Sequence, residues 1–270
     1  MYEKTDIVAA ANLLPVLWQQ ASNEPLQLSL QRIAKRVQKG VVNMPQWAAL
    51  LTLLNDNASY AAPTSQMLTL SKNAELSVEQ RVVEHFRAQG VSAFFCENSL
   101  LCGLFGLAFW DIIFAPIVGA FDNPYQRAPR DMYHSSFVDE RRDLIDLRMV
   151  ELKAGNYQAI EQHFATKQGI SNDWVNWPLL TDSLLGLALQ HFSAAFIVAV
   201  CQRILKDPAH YRSGQPDLVT FDAQGAVQFV EVKGPGDSLA DHQGYWLSFL
   251  QQFYPASVCY VQWHETTSND

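Results

Sequence analysis

The sequence predicts an α/β fold, a small mixed sheet flanked by helices and preceded by an all-helical segment. Three observations carry this. Apolar residues recur at helical spacing from about residue 5 to residue 70, with no strand-like run among them. The C-terminal part reads strand, turn, strand, helix, strand, the order of a small sheet with a helical crossover. Between the two lie helical stretches, two of them apolar enough to belong to a core.

The elements follow in order. Ile7 to Gln20 and Pro25 to Gln38 read as helices, and Pro45 to Asn55 as a third, without a clean repeat. Ala61-Ala62-Pro63-Thr64-Ser65 reads as a linker, so the chain divides into a helical lead-in, 1–70, and a sheet-bearing domain with helical insertions, 71–270. Ser77-Val78-Glu79-Gln80 has the capping-box pattern and starts a helix that Gly90 stops. Val91 to Cys96 is a short apolar strand, after which Asn98-Ser99 caps a helix from Leu100 to Phe114. The apolar run Leu100 to Phe121 is long enough to cross a bilayer. Asp111 within it, Pro116 and flanks poor in Lys and Arg favour a buried helix followed by a loop. Asp122 to Pro129 is a loop. Phe137 to Gly155 and Tyr157 to Gln168 are helices, and Leu180 to Leu205 is one long helix or two. Leu218 to Phe221 and Val227 to Lys233 are strands joined by the turn 222–225. Gly234-Pro235-Gly236-Asp237 breaks the chain before a helix, Leu239 to Phe253, and a last strand, Ser257 to Trp263.

Composition bounds the function. The 270 residues are 49% hydrophobic and 17% charged, with a formal net charge of -8. An acidic chain is a poor unaided binder of phosphate, but a divalent metal on a carboxylate cluster reverses the local sign. The four cysteines are scattered in apolar settings and read as buried free thiols, and no histidine has the paired spacing of a zinc site. Gly234-Pro235-Gly236 lacks the Lys-Ser/Thr pair of a nucleotide loop, and the first residues lack the basic-then-apolar run of a signal peptide. A non-membrane location is expected: cytoplasmic and nucleoid-associated in a bacterium, nuclear in a eukaryote.

The sharpest signal is Gly214-Gln215-Pro216-Asp217 followed by Glu231-Val232-Lys233. Side chains alternate along a strand, so Glu231 and Lys233 share a face while Val232 points to the core and leaves its carbonyl towards the site. Pairing across the turn brings Asp217 beside Glu231. Two carboxylates and a backbone oxygen suit Mg2+ or Mn2+, which prefer hard oxygen ligands. Such an ion lowers the pKa of water and steadies charge on a phosphate, with Lys233 holding the water or stabilising negative charge. The bland alternative is an exposed strand with an ordinary Glu-Lys pair. In the helix that follows, Leu239, Gln243, Trp246, Leu250 and Phe253 form one stripe, and Gln243 is its polar member. It either points in towards Lys233 or reaches solvent at the stripe's edge.

The runs Arg212 to Val219 and Phe229 to Asp237, then Leu239, Gln243 and Trp246-Leu247, resemble the VRR-NUC domain of the PD-(D/E)XK nuclease superfamily. Further upstream, Cys96 to Ser99, Leu104 to Leu107, Phe109 to Phe114, Phe121 and Gln126 to Pro129 resemble the Fanconi-associated nuclease family. The resemblance implies a restriction-endonuclease-like core and a structure-selective DNA nuclease using one or two Mg2+ or Mn2+ ions. It implies 5′-flap endonuclease and 5′-to-3′ exonuclease action in repair of branched or crosslinked DNA. By the same resemblance, Glu97 joins Asp217, Glu231 and the Val232 carbonyl at the metal, while Lys233 and Gln243 complete the catalytic group. From sequence alone, the role of an acid placed favourably near a helix N-terminus is the preferred reading of Glu97. The alternatives are a Holliday-junction resolvase, which stand-alone VRR-NUC domains resemble as dimers, and a non-catalytic DNA-binding module. The expected state is a monomer, with a dimer as the alternative. Members of the family usually carry a separate DNA-binding domain and a longer helical region upstream, and this sequence departs from them there. Arg127, Arg130, Arg203, Lys206 and Arg212 are the candidates for phosphate contacts, with Arg141 and Arg142 as further candidates or a solvated helix face.

Overall fold

The computed structural model describes residues 5–41, 43, 45, 48, 51, 63–73 and 75–264. The chain forms two compact units, Met1–Tyr60 and Ala61–Asp270.

In the first unit, α1 (Ile7–Gln20) and α2 (Glu24–Val41) pack as a hairpin. Asp6 caps α1 by accepting the Ala9 N–H at 2.9 Å. Ala10, Ala11 and Leu14 meet Ala34, Val37 and Val41 at a small core, where short side chains let the helices approach closely. Both helices fall where the apolar spacing placed them. The expected third helix, 45–55, lies for the most part outside the described residues.

The second unit carries a five-stranded sheet in the order β1 (Thr64–Leu70), β5 (Ala256–Trp263), β4 (Val227–Lys233), β3 (Leu218–Phe221), β2 (Ser92–Phe95). β1, β5 and β4 run parallel, and β4–β3 and β3–β2 run antiparallel. The first strand corrects the sequence reading, which took 61–65 as linker and saw no strand before residue 70. TSQMLTL is an edge strand, exposed along most of its length and held by pairing with β5. Without a buried face it has no apolar alternation to detect.

Two helical layers cover the sheet. On one face α3 (Val78–Ala88) brings Val82 and Val83 onto Leu70, Leu218, Val230, Val232 and Val261. Its capping box forms as expected: Ser77 N–H donates to Gln80 Oε1 at 3.0 Å, and Gln80 N–H to Ser77 Oγ at 3.2 Å. The other face carries the larger core. It is covered by α4 (Leu100–Ala108), α5 (Trp110–Ile113), α6 (Ser136–Glu140), α7 (Arg142–Lys153), α8 (Gln158–Thr166), α9 (Asp182–His191), α10 (Ala194–Lys206), α11 (Pro208–Tyr211) and α12 (Asp241–Leu250).

Every residue of α4 is buried, as expected of a core helix, but the helix breaks at Phe109 and restarts as α5. Leu180 to Leu205 proves to be two helices bent by 112° at Phe192-Ser193, where the Ser193 hydroxyl caps α10. Among the described residues no single helix is long and apolar enough to cross a membrane. All four cysteines are buried and free.

The expected cap at Asn98-Ser99 takes another form. Ser99 makes no capping bond, and its buried hydroxyl has no hydrogen-bond partner. Asn98, at φ 50°, instead uses its Oδ1 to accept the Gln215 N–H at 3.0 Å, tying the start of α4 to the approach of β3.

Candidate active site

Leu218 lies opposite Val230 in the β3–β4 ladder, so the next residue out, Asp217, stands opposite Glu231. Alternation puts Asp217, Glu231 and Lys233 on the face of the larger core, with Val219, Phe221 and Phe229, and turns Val232 to the other face. The Val232 N–H donates to Asp217 Oδ2 at 2.8 Å, which fixes the carboxylate against β4. Lys233 Nζ meets Glu231 Oε1 at 2.9 Å.

Gln243 points inward and closes this group. Its Oε1 accepts from Lys233 Nζ at 2.9 Å and from the Ala240 N–H at 3.0 Å, while its Nε2 donates to Glu231 Oε1 at 2.5 Å. One side chain therefore starts α12, as the third residue of a capping box does, and orients both the ammonium and the carboxylate. Of the two sequence readings of Gln243, the inward one holds. The exposed Glu-Lys strand pair does not, since Glu231 is 1% exposed and Lys233 8%.

The electrostatics are unbalanced. Two buried carboxylates face one ammonium. Burial pushes both carboxyls above the ordinary range, foremost for each. For Glu231 the charge of Asp217 adds to this and the Lys233 bond opposes it; for Asp217 the Val232 N–H opposes it and Glu97 and Glu79 add to it. Glu231 Oε2 is buried with no hydrogen-bond partner. A buried acceptor left alone costs about 1–3 kcal/mol, more when it is charged. A small hard cation beside Asp217 would answer both the unpartnered oxygen and the surplus negative charge, so the donor set fits a hard divalent metal ion.

Glu97 is placed differently from the resemblance. It is exposed, its Oε1 accepts from Asn98 Nδ2 at 3.3 Å, and among the described residues no three His, Cys, Asp or Glu side chains gather closely enough to hold an ion. The cause is local. The Cys96 N–H donates to the Asp217 carbonyl at 2.7 Å, so pairing continues to Cys96 and Glu97 is the first residue off the end of the sheet. Its charge still raises both Asp217 and Glu231. Glu79, in the first turn of α3, also raises Asp217 and was missed. Sequence reading used its segment only as a helix start; the signal was an acid in the first turn of a helix that packs under β3 and β4.

Gly214 has φ +84°, and a Cβ there would fall 2.5 Å from His242 Cδ2 and 3.1 Å from the His242 backbone. Trp246 Nε1 donates to the Ser213 carbonyl at 2.9 Å beside it. The chain entering β3 is thus docked on the first turn of α12, next to Gln243. Gly214→Ala is expected to lower stability by about 2 kcal/mol, from the left-handed backbone and the displaced helix. A thermal melt checks this, and a melt equal to wild type would show that α12 does not hold this contact.

The VRR-NUC domain family matches residues 148–263, which include Asp217, Glu231, Lys233 and Gln243. A Fanconi-associated nuclease 1 homolog of Pseudomonas aeruginosa is 40% identical over 213 residues, covering 77% of this chain and 38% of its own length. Fanconi-associated nuclease 1 of Danio rerio is 34% identical over 198 residues, covering 68% of this chain and 20% of its own. The crystal structure of paFAN1 bound to 2-nucleotide 5′-flap DNA with a gap has a TM-score of 0.72 and 34% identity, over 97% of this chain and 52% of that one. The chain belongs to the Fanconi-associated nuclease family. It spans about half of that solved chain and 38% of the Pseudomonas relative.

Within this Fanconi-associated nuclease fold the candidate phosphate-binding residues separate into two groups. Arg203 lies over the rings of Tyr211, Trp246 and Phe249, at 4.3, 5.0 and 4.7 Å. Arg212 lies over Tyr133 and Trp174 and donates to Tyr133 Oη at 2.6 Å and the Asp173 carbonyl. Arg141 is buried against Asp131, the Ile112 carbonyl and the Phe137 ring. Arg141 corrects the sequence reading of a solvated or phosphate-facing residue, because it is fully buried; Arg203 and Arg212 are half-buried, with their guanidinium planes laid over aromatic rings. Arg127, Arg130 and Arg142 are exposed and pair with Asp173, Asp122 and Asp139. Lys206 is exposed in the last turn of α10.

Proposed function

We propose that this chain is a metal-dependent, structure-selective DNA nuclease of the 5′-flap type, acting in DNA repair. The observation that carries the reading is the buried facing pair Asp217–Glu231, with an unpartnered Glu231 oxygen and Lys233 held by Gln243. The family supports it, and the solved relatives bound to 5′-flap DNA support the substrate class.

Asp217, Glu231 and the Val232 carbonyl would hold Mg2+ or Mn2+, with Glu97 turning in from the sheet end. The bound ion would supply positive charge to the scissile phosphate and acidify water. Lys233 carries its protons at Nζ beside Glu231, placed to stabilise charge that develops on the phosphate. Gln243 keeps that ammonium and the Glu231 carboxylate in register, so neither has to reorganise as the charge develops. Arg127, which lines a pocket with Glu97, and the exposed Arg130 would exchange their carboxylate partners for phosphates.

The test is a 5′-end-labelled flap DNA incubated with Mn2+. Wild type is expected to cut it, chelator to stop the reaction, and Glu231→Ala to be inactive. Equal cutting by Glu231→Ala would remove the activity from this site. A four-way junction in the same assay addresses the resolvase alternative: preference for the junction over the flap would move the reading there.

A further inference from the structure

Beside the catalytic cluster lies a pocket of about 500 Å³ whose wall includes Glu97, Asn98, Arg127 and Trp177. A second pocket, of about 540 Å³, is walled by Trp110, Phe114, Phe121 and Tyr125. Ile170 and Ser171 line both, so the two are neighbours. The near pocket mixes Glu97, Asn98 and Arg127 with Trp174 and Trp177, and the far one sets its rings beside Asp122, Asn123 and Gln126.

The far pocket is walled largely by aromatic rings. Trp110 and Phe114 have ring centres 5.0 Å apart, and Phe114 and Phe121 lie nearly parallel with centres 6.0 Å apart. Tyr125 is 89% exposed. The turn that carries it is ordered. The Tyr125 N–H donates to Asn123 Oδ1 at 3.0 Å, Gln126 Oε1 accepts the N–H groups of Asp122 and Asn123, and Arg130 pairs with Asp122. The opposite rim is equally fixed, since the Ile170 carbonyl accepts from Trp177 Nε1 at 2.8 Å and Asn172 Nδ2 at 3.0 Å. An exposed tyrosine on a pinned turn pays little entropy when a ring stacks on it. Arg127, 62% exposed at its side chain, stands at the near pocket for the backbone charge.

We propose that the pocket of Trp110, Phe114, Phe121 and Tyr125 receives an unstacked base of single-stranded DNA, whose backbone passes Arg127 and Glu97 in the neighbouring pocket. This deepens the nuclease reading and rests on it. The ring wall is tolerant of sequence, because every base has a π-face, and it selects an unpaired strand over a duplex. Selectivity for a strand end therefore comes from rings in an acidic chain, where a basic groove would otherwise be needed.

The experiment uses 5′-flap DNAs carrying 2-aminopurine at successive positions of the single-stranded arm, bound by a cleavage-deficient Asp217→Asn protein. Quenching at one position is expected, with neighbouring positions remaining bright. Adding Tyr125→Ala and Phe121→Ala should relieve that quenching and weaken binding of the flap about tenfold relative to plain duplex. Tyr125→Phe, which keeps the ring, should restore both. A thermal melt of each variant shows whether the fold survives; Tyr125→Ala alone, at an exposed position, carries the test if the double change lowers it. If the wild-type chain cuts flap DNA with Mn2+ while no position is quenched, or the quenching is unchanged by Tyr125→Ala, the pocket proposal is overturned and the nuclease reading stands. If wild type neither cuts nor binds any flap, the nuclease reading falls and takes the pocket with it.

Discussion

Asp217→Asn is expected to cut flap DNA about a thousandfold more slowly than wild type, and yet to melt at a higher temperature in chelator. The two effects share one cause. Asp217 and Glu231 are held together on one sheet face with a single ammonium for both. With a divalent ion bound, the pair would supply charged oxygens to it. Removing one charged ligand forfeits about 4 kcal/mol of stabilisation of the reacting phosphate, which is the thousandfold. Without the ion, the same charge is a liability. Asparagine keeps an oxygen to accept the Val232 N–H, so the bond at 2.8 Å survives. What remains is one carboxylate facing one ammonium. The relief is of order 1 kcal/mol, or about 2–4 °C in a domain of this size. Adding Mn2+ should raise the melting temperature of wild type and not of the variant. A variant that melts lower than wild type in chelator would show that Asp217 serves the fold and not the ion.

The hairpin of the candidate site was legible because its signals are local. β3 and β4 fall on the residues that apolar runs and the turn at 222–225 marked, and alternation along β4 alone put Glu231 and Lys233 on one face. The stripe of α12 was equally plain, but it left Gln243 open between an inward and an edge position, and its bond to Lys233 decides for the first. What escaped depends on partners distant in the chain. β1 is an edge strand whose order comes from pairing with β5, and nothing within TSQMLTL records that. The rings packed around Arg203 and Arg212 also escaped, because sequence shows a charge and not its surroundings. Glu97 and Glu79 come from either side of the sheet end, and their effect on Asp217 exists only after β2, β3 and α3 are assembled.

Lys233→Met should give the largest change in stability, and one that depends on pH. Methionine keeps most of the stem volume and removes the only cation in contact with Glu231 among the described residues. Taking one partner from a buried ion pair costs about 3–5 kcal/mol while the other stays charged. The carboxyls have an escape, which is to bind protons. Their folded pKa values already lie above those of the unfolded chain because of burial, and loss of Lys233 raises them further. A carboxyl of this kind favours the fold fully below the ordinary carboxylate pKa of about 4, and that contribution is lost as pH rises through the raised value. In chelator the variant should therefore be about 3 kcal/mol less stable than wild type at pH 8 and close to it at pH 5, with wild type showing the same slope more weakly. Lys233→Arg separates the two duties of this side chain. It returns a positive charge and most of the stability at pH 8, but its planar fork cannot sit as a point charge against both Glu231 and Gln243, so cleavage stays at least about a hundredfold down. Denaturant titrations at the two pH values and the flap assay measure both. A Lys233→Met protein as stable as wild type at pH 8 would mean that the two acids are already protonated there. Such a site could not bind a cation without first losing protons, and the charge imbalance on which the nuclease reading stands would be gone.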